Sequence, residues 1–333
     1  MRLRKVYGEK AARGVCAALL LAALAAAGVA AQEGGAWTGG RRGQAGKDLN
    51  AVHFADGRRG WAAGDDGLVI HTEDGGQTWR RQSLSTKDSI NDIYFRDREN
   101  GYLLAGGTVF STEDGGASWQ LSSRFHPQTF GGAEPELYSV RFTGKRRGWV
   151  VGNLSRRDTV VDSLVLRTTD GGASWQRQRV PVSDELIHLD FDGDKRGWIV
   201  GSQGRILHTR DAGETWALQR SNTTAALYHV EFRNDDDGWA VGERGTILRT
   251  SDGGETWLSV PAPVRSTLLS VKFVNEDEGW VVGRGGVILR TGDGGRTWVR
   301  QETGTRQNLY ALYFDKRGGW AVGGDGLVLR YER

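Results

Sequence analysis

The dipeptide Gly-Trp recurs at Trp61, Trp149, Trp198, Trp239, Trp280 and Trp320, and Gly101-Tyr102 stands where one further copy is due. The seven copies are spaced by 41, 47, 49, 41, 41 and 40 residues. An aromatic-anchored repeat of this length is one four-stranded propeller blade, and the two longer intervals carry insertions. A second string, T-x-D-G-G-x-[ST]-W, occupies 72–79, 112–119, 168–175, 209–216, 250–257 and 291–298, with Ala212 replacing the first glycine of the fourth copy. The chain ends explain the missing seventh box. Glu33-Gly34-Gly35-Ala36-Trp37 is a degenerate copy, and Trp37 precedes Leu49 by 12 residues much as Trp298 precedes Leu309 by 11. The N-terminus therefore supplies the last strand of the blade whose first three strands come from 307–331. Closing the ring this way leaves no unpaired sheet edge. The expected fold is all-β: a seven-bladed β-propeller closed by pairing of an N-terminal strand with the C-terminal blade.

Each repeat divides into four strands. The first reads L-x-x-V-x-F, as from Leu268 to Phe273; the second runs from Gly-Trp to Val-Gly; the third reads I-L-R-T; the fourth follows the box Trp. Period-two alternation supports each strand. The turn after Val-Gly contains Gly245, Gly285 or Gly326, as a tight hairpin with positive φ requires. All 13 tryptophans are thereby assigned, six to Gly-Trp positions and seven to boxes, so none remains for a separate ligand platform.

Residues 1–31 have the pattern of a cleaved signal peptide. Arg2, Arg4, Lys5, Lys10 and Arg13 form a basic start, Val15 to Ala30 an apolar stretch, and the small residues near Ala31 a cleavage site. The apolar stretch is shorter than the roughly 20 residues of a membrane-spanning helix. Export through an inner membrane is expected, to a periplasm or thylakoid lumen or alternatively to the exterior, leaving residues 32–333 as one propeller domain. Of 44 basic and 41 acidic residues, this leader takes five and one, so the mature chain has 39 and 40. A near-neutral mature chain gives no support to nucleic-acid binding and makes the protein membrane-peripheral at most. Its one cysteine, Cys16, lies in the leader, which excludes thiol chemistry and cysteine-based metal sites from the rest.

The box aspartates, Asp74, Asp114, Asp170, Asp211, Asp252 and Asp293, are expected to be structural. Each can accept turn amides and the box hydroxyl, while the glycines permit positive φ and the Trp buries a large ring. Six copies around a ring cannot converge on one ligand. Boxes of this kind resemble the Asp-boxes of sialidase propellers, which lie between the third and fourth strands. The repeat F-x-D-x-x-x-G-W-x-V-G-x-x-G-x-I-L-x-T-x-D-G-G-x-T-W, closely matched at 232–257 and 273–298, more nearly resembles the photosystem II stability and assembly factor family over essentially the whole mature chain. That resemblance implies an exported, non-catalytic propeller that binds another protein, a photosynthetic reaction-centre subunit or another membrane-complex subunit, without a cofactor. It leaves a general periplasmic or extracellular binding propeller and a sialidase-like glycosidase as alternatives.

A sialidase needs an arginine triad and an activated Tyr–Glu pair at the open centre, and the F-R-I-P-type motif of that family is absent. Tyr138, Tyr228 and Tyr310 share one repeated strand-one position and are expected to pack. The residues before the strand-one Phe, namely His53, Tyr94, Arg141, Asp190, Glu231, Lys272 and Tyr313, should line the channel. Arg141, Asp190, Glu231 and Lys272 run plus, minus, minus, plus around consecutive blades, as suits an ion-paired ring, although His188, Asp190, His229 and Glu231 also allow a metal set; we expect no metal and no catalytic group.

Loops between strands two and three and between blades should share the face opposite the boxes, and scaffolded loops are where binding residues gather. Insertions at 120–136 and 152–164 fall there, bringing Arg124, Arg156 and Arg157; hairpins of blades four, five and six add Arg205, Arg244 and Arg284. These six arginines are the expected partner-binding residues, suited to forked pairing with carboxylates. The assembly-factor resemblance implies an arginine-rich patch and transfers to Arg205, Arg244 and Arg284, which lie inside the matching repeat. On the box face the hairpins between strands one and two are basic in four blades and acidic at Asp235–Asp237 and Glu276–Glu278.

Overall fold

A computed structural model describes residues 35–82 and 84–332; the expected leader, 1–31, lies outside the described residues. Seven four-stranded antiparallel sheets follow one another: blades one (49–82), two (90–124), three (134–177), four (186–219), five (227–259), six (268–301) and seven (309–332). Blade seven takes its fourth strand from Ala36–Arg41, which pairs with Leu327–Glu332, Trp37 opposite Tyr331. Arg41 and Gly46 lock this closure by bonding Asp325, the Gly46 amide at 2.7 Å and Arg41 through its guanidinium.

The two repeated strings meet at one ring. In every blade the strand-one Phe stacks on the Gly-Trp aromatic of the preceding blade: Phe95 on Trp61 at 4.0 Å between centroids, Phe142 on Tyr102 at 4.1 Å, Phe191 on Trp149 at 3.9 Å, Phe232 on Trp198 at 3.4 Å. The series continues with Phe273 on Trp239 (3.7 Å), Phe314 on Trp280 (4.1 Å) and Phe54 on Trp320 (3.9 Å). The same Phe meets its own blade's box Trp edge-on, as Phe273 meets Trp298 at 81° and Phe314 meets Trp37 at 86°. Stacked and edge-to-face pairs of this kind contribute about 0.5–1.5 kcal/mol each beyond the area they bury. The glycine before each Trp is required by the other side of this ring. A Cβ on Gly60 would fall 2.4 Å from the Phe54 ring, and one on Gly238 would fall 2.5 Å from Phe232.

Two departures from the sequence expectation matter for the binding face. Insertions 120–136 and 152–164 do not form separate loops. Residues 120–124 complete the fourth strand of blade two and Pro127–Phe130 form a 3-10 turn, while 134–136 and the whole second insertion extend blade three into three ten-residue strands, Glu134–Thr143, Arg147–Arg156 and Thr159–Thr168, with Pro135 opposite Leu154 and Glu136 opposite Asn153. Ala133, Leu154 and Leu164 are buried in this extension, with Phe125 and Phe130 packed against them. The second departure is a one-residue bulge in every first strand, immediately after its buried Leu, or after Ile90 in blade two, which is considered below.

Deleting residues 35–46 should remove both Trp37 and the closing strand. Loss of a large buried aromatic alone costs about 3–5 kcal/mol, against a typical net stability of about 5–15 kcal/mol. The shortened protein is expected to aggregate or melt far below the full chain; a monomer by light scattering with an unchanged melting temperature would contradict the closure.

Candidate functional site

Each Asp-box is saturated by its own turn. In blade one Asp74 accepts the Thr72 hydroxyl (2.8 Å), the Thr78 amide (2.9 Å) and the Thr78 hydroxyl (2.6 Å), while the Gly76 amide donates to Thr72 Oγ1 (2.9 Å). Asp114, Asp170, Asp211, Asp252 and Asp293 repeat the pattern. The Thr78 hydroxyl and amide bonds hold the Asp74 carboxyl down to about 2, and Ser118 does the same for Asp114, also to about 2. The first box glycine fastens the turn to the neighbouring hairpin: Gly75 donates to the Arg58 carbonyl, Gly171 to Arg146 and Gly253 to Asp236, each at 2.9 Å. Boxes and strand-one-to-two hairpins therefore share one face.

The first strands enclose a channel of about 460 Å³, lined by His53, Tyr94, Arg141, Asp190, Glu231, Lys272 and Tyr313 as expected. Its polar groups stitch adjacent blades together. First strands are inner edge strands whose free amides and carbonyls need partners. Asp92 accepts the Val140 amide at 2.9 Å, Asp190 the Phe232 amide at 2.8 Å and Glu231 the Phe273 amide at 2.8 Å. Asn91 donates to the Leu137 carbonyl (2.9 Å) and the Tyr94 hydroxyl to that of Phe142 (3.1 Å). The expected four-charge ring is only half formed. Lys272 pairs with Glu231, but Arg141 pairs with Asp92 (2.9 Å) and contacts His188 Nε2 (2.9 Å), because Asp190 is taken by the backbone of blade five. Burial pushes the Glu231 carboxyl up to about 7 against the pull of Lys272, and pushes His53 down to about 3 with help from Arg141 and Lys272. His188 and His229 stack at 3.7 Å, and among the described residues no three His, Asp or Glu groups converge as a metal set.

Tyr138, Tyr228 and Tyr310, expected to pack, line the channel instead. Each is the bulged residue of its strand, and one extra residue turns its side chain from the sheet interior to the axis. The Tyr310 hydroxyl donates to Asp48 (2.8 Å), and Tyr138 accepts from Asn153 (3.0 Å).

On the opposite face the strand-two-to-three hairpins abut the loops between blades, as where the Arg284 amide donates to the Thr267 carbonyl at 2.9 Å. The six expected arginines separate into two groups there. Arg124, Arg156 and Arg157 belong to the blade-two and blade-three wall. Arg124 Nε lies 3.4 Å from Thr108 Oγ1, Arg156 donates to the Gly131 carbonyl at 2.7 Å, and Arg157 turns the hairpin tip at φ 50°. Arg205 is half-buried and paired with Asp184 at 2.6 Å. Arg244 and Arg284 are exposed, the former in the left-handed position of a tight hairpin (φ 56°, followed by Gly245 at φ 70°).

Sequence reasoning missed two further arginines. A Cβ on Gly245 would lie 3.4 Å from Arg265 Cα, and one on Gly286 3.2 Å from Arg306 Cα. These contacts set Arg265 beside the Arg244 hairpin and Arg306 beside the Arg284 hairpin. All four side chains are exposed, and among the described residues no carboxylate pairs with them. The signal was present: Arg265 and Arg306 each stand three residues before a strand-one Leu.

The family model described as photosynthesis system II assembly factor YCF48 matches residues 131–221, 215–307 and 267–332. The chain belongs to the YCF48 family. Among solved structures, YCF48 bound to D1 peptide aligns at TM-score 0.72 and 22% identity, covering 89% of this chain and 97% of that one. YCF48 from Cyanidioschyzon merolae aligns at TM-score 0.70 and 19% identity over 89% and 98%. Virginiamycin B lyase from Staphylococcus aureus, solved with quinupristin, aligns at TM-score 0.73 but 13% identity over 89% and 99%, a likeness of fold alone. No curated protein matches the sequence. The YCF48-family match spans blades three to seven, so it includes the Arg244, Arg265, Arg284 and Arg306 group.

The depressed box carboxyls give an acid-stability prediction. A carboxyl whose folded pKa lies below its unfolded value stabilises the fold above that unfolded value, and the contribution disappears as pH falls through the folded one. For Asp74 and Asp114 the window runs from the ordinary Asp value of 3.8 down to about 2. Melting temperature should fall across this window, and Asp74→Asn should start lower at pH 6 but fall less between pH 4 and 2. Parallel curves would contradict a stabilising ionised Asp74.

Proposed function

We propose that this chain is an exported, non-catalytic assembly propeller of the periplasm or thylakoid lumen, holding an extended segment of a photosystem II reaction-centre subunit on its arginine face. The observation that carries the proposal is the group Arg244, Arg265, Arg284 and Arg306, four exposed guanidiniums on adjacent blades that no carboxylate among the described residues pairs with. The blade-three extension bearing Arg156 and Arg157, with Arg124 at the end of blade two beside it, rises on the same face as a second wall, with Arg205 between the two groups. Forked, always-charged arginines suit recognition of side-chain and terminal carboxylates. The peptide-bound YCF48 relative supports D1 as the probe. A binding role is also favoured by the channel, where Asp92, Asp190, Glu231 and Lys272 are engaged in bonds between blades. The basic, apolar and small-residue pattern of 1–31 supports export.

Changing Arg244, Arg265, Arg284 and Arg306 together to Glu should weaken association with D1 peptide strongly. Exposed substitutions of this kind stay within about 0.5 kcal/mol each in stability, so folding should survive. The wild-type on-rate should fall with added salt, as steering shrinks with a Debye length of about 10 Å at 0.1 M and about 3 Å at 1 M, while the variant's rate should be flat. Reversal of Lys145, Lys195 and Lys316 on the box face serves as control. Loss of binding in the control with normal binding in the arginine variant would place the partner on the wrong face.

A further inference from the structure

We propose that the box face carries a second site, a pocket for a phosphate-type dianion formed by Arg58, Arg59, Arg98 and Arg317 where blades seven, one and two meet. A shallow cavity of about 420 Å³ opens there, lined by these four arginines with Asp56 and Glu73. Arg317 comes from the first hairpin of blade seven, Arg58 and Arg59 from that of blade one, and Arg98 from that of blade two. Four guanidiniums against two carboxylates leave a surplus of two positive charges.

The available negative charge is unevenly spent. Asp56 accepts the amides of Arg58 and Arg59, both at 2.9 Å, and its other oxygen lies 3.1 Å from Arg59 Nη2 and 3.5 Å from Arg98 Nε. Arg58 directs its Nε to the Glu73 carbonyl at 3.3 Å rather than to a carboxylate. Among the described residues no carboxylate pairs with Arg58 or Arg317. Gly57 fixes where Arg317 lies: a Cβ there would fall 2.4 Å from its Nη1 and 2.6 Å from its Cδ. The bare glycine thus lets a blade-seven guanidinium cross the seam and rest on the blade-one hairpin.

Such a convergence repels itself when empty and attracts an oxyanion able to take several forked N–H pairs at once. A phosphate group meets that requirement, whether free or as a phospholipid headgroup. Blades seven and one meet at the closure of the ring, where blade seven is completed by the N-terminal strand Ala36–Arg41, so an anion touching Arg317 and Arg58 would add a tie across that closure. A ligand bound only by the folded state raises the melting temperature in a saturable way.

The test uses pyrophosphate as the free-anion probe, at ionic strength matched with sodium chloride, and vesicles of phosphatidylglycerol against phosphatidylcholine as the headgroup probe. Wild type and the Arg244→Gln/Arg284→Gln variant should show a saturable rise in melting temperature with pyrophosphate. Arg58→Gln/Arg317→Gln should melt normally without ligand yet bind about tenfold more weakly or worse, the loss of one charge-assisted bond or more. Co-sedimentation with phosphatidylglycerol that is lost in the same variant identifies a headgroup site; a pyrophosphate effect without it identifies a free-anion site. The proposal is overturned if pyrophosphate does no more than chloride and the vesicles do not bind, or if Arg58→Gln/Arg317→Gln responds like wild type.

Discussion

A phenylalanine held between two aromatic partners is the contact on which this fold depends. The strand-one Phe lies flat on the glycine of its own Gly-Trp, beneath the Trp or Tyr of the preceding blade, and edge-on to its own box Trp. One contact thereby ties strand one, strand two and the box of a blade to the blade before it. Repeating it seven times fixes the inter-blade spacing and makes closure compulsory, since Phe314 has its edge-on partner only when Trp37 arrives from the other end of the chain. The repeat of about forty residues is the sequence trace of this contact.

This is why the fold was legible. Gly, Trp, Phe and the box residues occupy positions that few residue types fit, so the pattern survives with only isolated exceptions such as Tyr102 and Ala212. Features set by relations between copies were harder to read. The one-residue bulge in each first strand has no residue signature, because Asn50, Ile187, Leu269 and Tyr310 all occupy it, and it carried three tyrosines from the expected interior to the channel. Arg205 looked equivalent to Arg244 and Arg284 but occupies a different hairpin position, where Asp184 reaches it from a loop 21 residues away. Likewise the end of the first insertion and the whole of the second proved to be parts of one sheet, since Glu134–Leu137 pairs with Gly152–Ser155 on the far side of a hairpin.

The division of labour among channel, box face and loop face follows from which polar groups the fold needs. Box aspartates cap their turns, and channel carboxylates and amides satisfy the inner strand edges. Burying such groups without partners would be costly, so their chemistry is committed to folding. Arg244, Arg265, Arg284 and Arg306 have no such duty among the described residues. Their charge is free for intermolecular use, and membership of the YCF48 family gives that use a direction.

Hydrogen exchange of the whole protein with and without D1 peptide, read by mass spectrometry, tests the central claim most directly because it maps the contacted face without altering a residue. The account predicts slowed exchange at 243–246, 264–267, 284–287 and 305–308, with a second protected stretch at 153–160 on the blade-three wall. Protection confined to the box-face hairpins at 56–59, 145–147 and 194–196, with the loop face unchanged, would contradict it.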